Sequence, residues 1–80
     1  MKCVYLLRSL SQPDQHYVGL TADIDARLKA HNTGKVPHTA KYLPWEVVVS
    51  ISFDDEAKAL AFERYLKSGS GRAFARRHFW

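Results

Sequence analysis

Cys3-Val4-Tyr5-Leu6-Leu7-Arg8-Ser9 and His16-Tyr17-Val18-Gly19-Leu20-Thr21, with Ser11, Gln12, Pro13 and Asp14 between them, are the segments on which the fold turns. Both runs are rich in strand-forming residues, and the residues between them favour a turn. Together they read as a β-hairpin. Tyr5 and Tyr17 fall one in each strand, where aromatic residues pack well against neighbours. Gly19 is harder to account for, because an interior glycine weakens a strand unless a bulge or a close backbone approach requires it.

Beyond the hairpin the period changes. Ile24 and Leu28 are four apart and Gly34 is placed to end a helix, so a first helix is expected over Ala22 to Asn32. Lys35 to Pro44 carries two prolines and no sustained period, which predicts a loop. Trp45, Val47, Val49, Ile51 and Phe53 then alternate with Glu46, Val48, Ser50 and Ser52, the strongest strand signal in the chain. This third strand is expected at the centre of the sheet. Asp54, Asp55 and Glu56 suit the first turn of a second helix running to Lys67. Ser68 to Gly71 end it, and Arg72 to Trp80 form a short third helix with Ser70 as its cap and Phe74, Phe79 and Trp80 packing back. The expected order is β, β, α, β, α, α, an α/β (α+β) arrangement in one domain over residues 1–80.

The composition agrees with a folded domain. Hydrophobic residues make up 46% and charged residues 25%, which argues against disorder. Cys3 is the only cysteine, so neither an internal disulfide nor a cysteine-rich zinc cluster is available. The apolar run Val4 to Leu7 is too brief for a signal peptide or a membrane span, and a cytoplasmic setting without membrane contact is expected. Twelve Lys and Arg against eight Asp and Glu leave a net charge of +4, which suits a polyanionic partner.

Most carboxylates have a structural explanation. Asp23, Asp25, Asp54, Asp55 and Glu56 sit at helix starts, Asp14 in the turn, and Glu46 on the less apolar face of its strand. Glu63 remains. At about 100° per residue it lies on the arc between Ala59, Phe62 and Leu66, beside the apolar stripe of the second helix. It is either a rim glutamate paired with a lysine or arginine, or a single-carboxylate ligand for Mg²⁺, which keeps several waters and takes further ligands from phosphates. Arg27 and His31, four apart beside the Ile24 and Leu28 stripe, are either the polar flank of an amphipathic helix or a phosphate contact and a proton-carrying group. The histidines lack zinc-motif spacing, and neither a Gly-rich phosphate loop nor a serine hydrolase elbow is present.

Cys3-Val4-Tyr5, eleven intervening residues and Tyr17-Val18-Gly19 resemble the paired GIY and YIG motifs of the GIY-YIG endonuclease family. Arg27 and His31, within Arg27-Leu28-Lys29-Ala30-His31-Asn32, are similar to its helix-one residues, and Glu63 to its metal-binding glutamate. The likeness runs from Val4 to about Lys67. Two departures stand out: Cys3 replaces the first glycine, and Leu20 stands where some relatives carry a lysine.

The resemblance implies a three-stranded, mainly antiparallel sheet flanked by helices, carrying a divalent-metal-dependent endonuclease that hydrolyses phosphodiester bonds, in DNA rather than RNA, with possible structure specificity. Tyr5, Tyr17, Arg27, His31 and Glu63 would be its catalytic residues. Glu63 would hold Mg²⁺ or Mn²⁺, Arg27 would neutralise phosphoryl charge, Tyr17 would activate the attacking water with Tyr5 orienting it or sharing the task, and His31 would position a tyrosine or the water. Lys35, Lys41, Arg72, Arg76 and Arg77 are candidate nucleic-acid contacts. Larger family members carry extra DNA-binding domains, and a small footprint is expected here. The alternative is a nucleic-acid-binding or protein-interaction module on the same fold without hydrolysis. Oligomeric state and any protein partner are left open.

Overall fold

The computed structural model describes all 80 residues. The elements are β1 (Lys2–Ser9), β2 (His16–Thr21), α1 (Ile24–Asn32), a 3-10 turn (Ala40–Tyr42), β3 (Trp45–Phe53), α2 (Glu56–Leu66) and α3 (Gly69–His78), in the order expected. The strands form one antiparallel sheet in the order β2-β1-β3. The central strand is thus β1, and β3 lies at an edge, contrary to the expectation from its alternation.

The physical reason lies in β1 itself. Val4, Tyr5, Leu6 and Leu7 are all buried, so consecutive side chains on opposite faces both meet protein. A strand covered on both faces reads as a continuous apolar run, whereas alternation marks a strand with one wet face. Val4 and Leu6 pack with Ala59, Leu66 and Ala75 from α2 and α3. Tyr5 and Leu7 pack on the other face with Trp45, Tyr17, Ile24 and Leu28, which places α1 there.

The alternation of β3 does not stay on one face either. A register shift between Leu6 and Leu7 pairs Leu6 with Val49 and Leu7 with Val47, leaving Val48 extra. Val49 and Phe53 therefore join the α2/α3 side while Trp45 and Val47 join the α1 side.

The helix ends follow their caps. Asp23 accepts the Ala26 N–H at 3.1 Å, so α1 begins at Ile24 and not at Ala22. It ends as expected at Gly34, whose φ of 77° needs no Cβ, with the Lys35 N–H returning to the Ala30 carbonyl. Asp55 caps α2, accepting from Ala57 and Lys58. The start of α3 differs from expectation: Ser68, not Ser70, is the cap, and Gly69-Ser70-Gly71 are helical. Their weak helix propensity is overridden by packing, because a Cβ on Gly71 would fall 1.7 Å from the Tyr65 carbonyl oxygen. Phe74, Phe79 and Trp80 pack against the core as expected.

Candidate active site

Tyr5 and Tyr17 share one sheet face, since Tyr5 pairs with Gly19 and Tyr17 with Leu7, Tyr5's neighbour but one. Their ring centroids are 6.1 Å apart. The Tyr5 ring lies against Gly19, where an added Cβ would meet the phenolic oxygen at 2.4 Å. This is the close approach that explains a glycine inside β2.

From α1, Arg27 and His31 reach the same point. Arg27 Nε donates to the Tyr5 hydroxyl at 3.3 Å, and the Tyr5 hydroxyl lies 3.0 Å from His31 Nε2. The His31 ring also meets Tyr17 edge-on at 4.8 Å. Its other nitrogen, Nδ1, lies 2.8 Å from Thr39 Oγ1, and the Thr39 hydroxyl donates to the Val36 carbonyl at 3.3 Å. Tyr5, His31 and Thr39 are all buried, and no buried side-chain polar atom lacks a partner. Thr39 is a site residue that sequence reasoning missed, since only the fold brings its loop to His31.

Burial pushes the Tyr5 phenol above its usual value of 10.0, against the pull of the Arg27 hydrogen bond. The Tyr5 hydrogen bond in turn raises Arg27. Burial, then the Arg27 charge, push His31 below its ordinary 6.5. His16 is likewise lowered, by burial and then Arg8. Because both folded histidines resist protonation, the unfolded chain binds more protons as pH drops below 6.5. Stability from these groups is complete above that value and is lost as pH falls through the lower folded values. Thermal unfolding should show a falling Tm between about pH 6.5 and 5, before most carboxylates titrate. A Tm constant over that window would contradict this.

Glu63 has a different setting. It lies on α2, which packs against the sheet face opposite α1, and its side chain is 13% exposed. Its partner is Lys67, one turn on, and it makes no hydrogen bond to Tyr5, Tyr17, Arg27 or His31. Lys67 nevertheless lines, with Tyr17, a groove of about 540 Å³ along the β2 edge. His16, Val18, Leu66, Arg72, Ala75, Arg76 and Trp80 complete its walls, with the His16 and Trp80 rings stacked at 3.8 Å. No carboxylate lines it.

The five candidate nucleic-acid contacts are thereby separated. Arg72 and Arg76 face the groove beside Tyr17. Arg77 lines a second depression with Ser70, Ala73, Phe74 and His78. Lys35 and Lys41 lie in the α1–β3 loop, Lys41 over the Tyr42 ring.

No group of three or more His, Cys, Asp or Glu side chains is arranged to hold a metal ion. The donor set thus fits only an ion that one carboxylate, waters and a substrate phosphate would hold jointly, a mode Mg²⁺ tolerates. No helix is long and apolar enough to cross a membrane.

Comparison with known proteins adds the relatives. The chain is 45% identical over 64 residues to the structure-specific endonuclease subunit SLX1 of Malassezia globosa, covering 74% of this chain and 14% of that protein. It is 37% identical over 71 residues to the subunit of the same name from Debaryomyces hansenii, covering 80% and 20%. It is 36% identical over 52 residues to a UPF0213 protein of Lactococcus lactis subsp. cremoris, covering 64% and 53%. The chain thus spans a fifth or less of the two fungal relatives. The model of the GIY-YIG catalytic domain matches residues 1–77, the stretch that holds the hairpin, the tyrosine pair, α1, α2 and all but the last residue of α3, and the chain belongs to the GIY-YIG family.

Proposed function

We propose that this chain is a divalent-metal-dependent endonuclease acting on DNA, with a preference for branched or flapped structures. The observation that carries this is the convergence of Tyr5, Tyr17, Arg27 and His31 from three elements, with Tyr17 opening onto a groove lined by cations and free of carboxylates. The structure-specific endonuclease subunits to which the chain is similar support the substrate class.

Glu63 would hold Mg²⁺ or Mn²⁺ together with the scissile phosphate; the ion, when bound, supplies Lewis-acid stabilisation of the leaving oxygen. The remaining work falls to side chains. Arg27 engages Tyr5 through Nε, which leaves its terminal amino groups for a phosphoryl oxygen as charge develops there. Tyr5 is buried and held in its neutral form, so it orients rather than accepts a proton. Tyr17 lines the groove, and as the phenolate its oxygen would take the proton of the attacking water. Lys67, Arg72 and Arg76 bind the backbone of the strand.

One observation favours a binding module without turnover: Lys67 occupies the carboxylate that a metal needs. A panel of flapped, branched and single-stranded DNA with matching RNA, in Mg²⁺, Mn²⁺ and chelator, separates the two. Metal-dependent cleavage supports the nuclease, and metal-independent binding with every substrate intact supports the module.

Binding itself should be electrostatic. Each phosphate contact contributes about 0.7 to 0.9 to the slope of log K against log salt. Replacing both Arg72 and Arg76 with alanine should lower that slope by roughly 1.5 in a fluorescence-anisotropy titration. An unchanged slope would remove the groove from the binding surface.

A further inference from the structure

Arg27, Tyr5, His31 and Thr39 form a hydrogen-bonded chain whose direction is fixed from its ends. Arg27 Nε–H is a donor only, and the Val36 carbonyl is an acceptor only. The Thr39 hydroxyl has one proton and gives it to Val36, so towards His31 Nδ1 it acts as acceptor. His31 therefore carries its proton on Nδ1 and offers the Nε2 lone pair to the Tyr5 hydroxyl. Tyr5 in turn accepts from Arg27. The reverse polarity would commit the single Thr39 proton to His31 Nδ1 and leave the contact between the Thr39 hydroxyl and the Val36 carbonyl without a hydrogen. An imidazolium is opposed by burial and by Arg27.

Thr39 is itself pinned. It is 1% exposed, its N–H donates to the Val36 carbonyl at 3.1 Å, and its carbonyl accepts the Trp45 indole N–H at 3.0 Å. Trp45 is held in turn by the Asn32 side chain, which accepts its backbone N–H at 2.6 Å and donates to its carbonyl at 3.1 Å. Rigid backbone thus presents one oxygen to His31.

We propose that Thr39 is a positioning residue that fixes the tautomer of His31, and through it the orientation of the Tyr5 hydroxyl beside Arg27 and Tyr17. The effect on His31 stands by itself, while its catalytic consequence rests on the nuclease reading. Partners that orient a metal-ligating imidazole commonly cost about ten- to hundredfold in affinity or activity when removed, and an effect of that size is expected for His31, whose ring is oriented in the same way.

The test combines imidazole ¹⁵N NMR of the full chain, with His31 assigned through contacts to the Tyr5 and Tyr17 rings, and single-turnover cleavage of a flapped duplex. Wild type should show Nδ1 protonated and Nε2 free. Thr39→Val, matched in shape but lacking the hydroxyl, should change that spectrum and slow cleavage about ten- to hundredfold with DNA affinity unchanged. Thr39→Ser should restore both. If Thr39→Val fails to fold, the wild-type tautomer and the Thr39→Ser spectrum decide between the two polarities. A wild-type Nε2–H tautomer, or an unchanged His31 spectrum in Thr39→Val, overturns the proposal. Absence of cleavage by wild type sinks the nuclease reading, while the ¹⁵N spectra still test the role of Thr39 towards His31.

Discussion

Gly19→Ala should lower Tm by roughly 5–20 °C and disconnect Tyr5 from both of its partners. The new methyl carbon would fall 2.4 Å from the Tyr5 oxygen and 2.5 Å from its ring carbon. A flexible side chain at the surface would swing away, but Tyr5 is 1% exposed and its hydroxyl is held by Arg27 and His31. Either the ring moves and both hydrogen bonds break, or β2 separates from β1. Overpacking of this kind costs about 1–3 kcal/mol. Gly69→Ala is the control, since nothing lies within 4 Å of a Cβ there. Equal Tm values for the two variants, by calorimetry, would show that the Tyr5–Gly19 contact is loose.

Glu63→Gln should leave the fold in place and reduce cleavage by about a hundredfold or more. Glutamine has nearly the same size and helix propensity and keeps a polar amide at this 13%-exposed position, and the contact it gives up is a single i,i+4 pair with a half-exposed Lys67. What disappears is the charge that would attract the ion. No carboxylate lines the groove, so none there would substitute for Glu63. Weak DNA binding should persist or strengthen slightly, since Lys67 is released towards the groove.

The parts of the fold readable from sequence are those set by neighbours along the chain. The hairpin was marked by two β-rich runs and a turn, α1 by the four-residue spacing of Ile24 and Leu28 and by Gly34, and α2 by Asp54, Asp55 and Glu56 at its start. The position of β3 was not readable from its own alternation, because edge or centre depends on which strand it pairs with. The deciding clue was in β1, where four consecutive buried residues signal cover on both faces. The register shift opposite Leu6 and Leu7 and the helical state of Gly69 to Gly71 depend on tertiary packing alone.

The site divides the same way. Gly19, Arg27 and His31 were visible as residues whose local setting left something unexplained, and the fold supplies Tyr5 as their common partner. The spacing of Glu63 and Lys67 made their pairing legible too. Thr39 was not legible: an ordinary threonine in a proline-containing loop becomes significant only when that loop is folded onto α1.

The central claim is that a carboxylate on α2 and the tyrosine cluster act together as a metal-dependent nuclease. It is tested most directly by single-turnover cleavage of an end-labelled flapped DNA, with wild type and Glu63→Gln side by side in Mg²⁺, Mn²⁺ and chelator. Circular dichroism confirms that both are folded. The expected result is cut product from wild type only when metal is present, and about a hundredfold less or none from Glu63→Gln. Equal cleavage by the folded variant would remove Glu63 from the site, and intact DNA with wild type under every condition would contradict nuclease activity altogether.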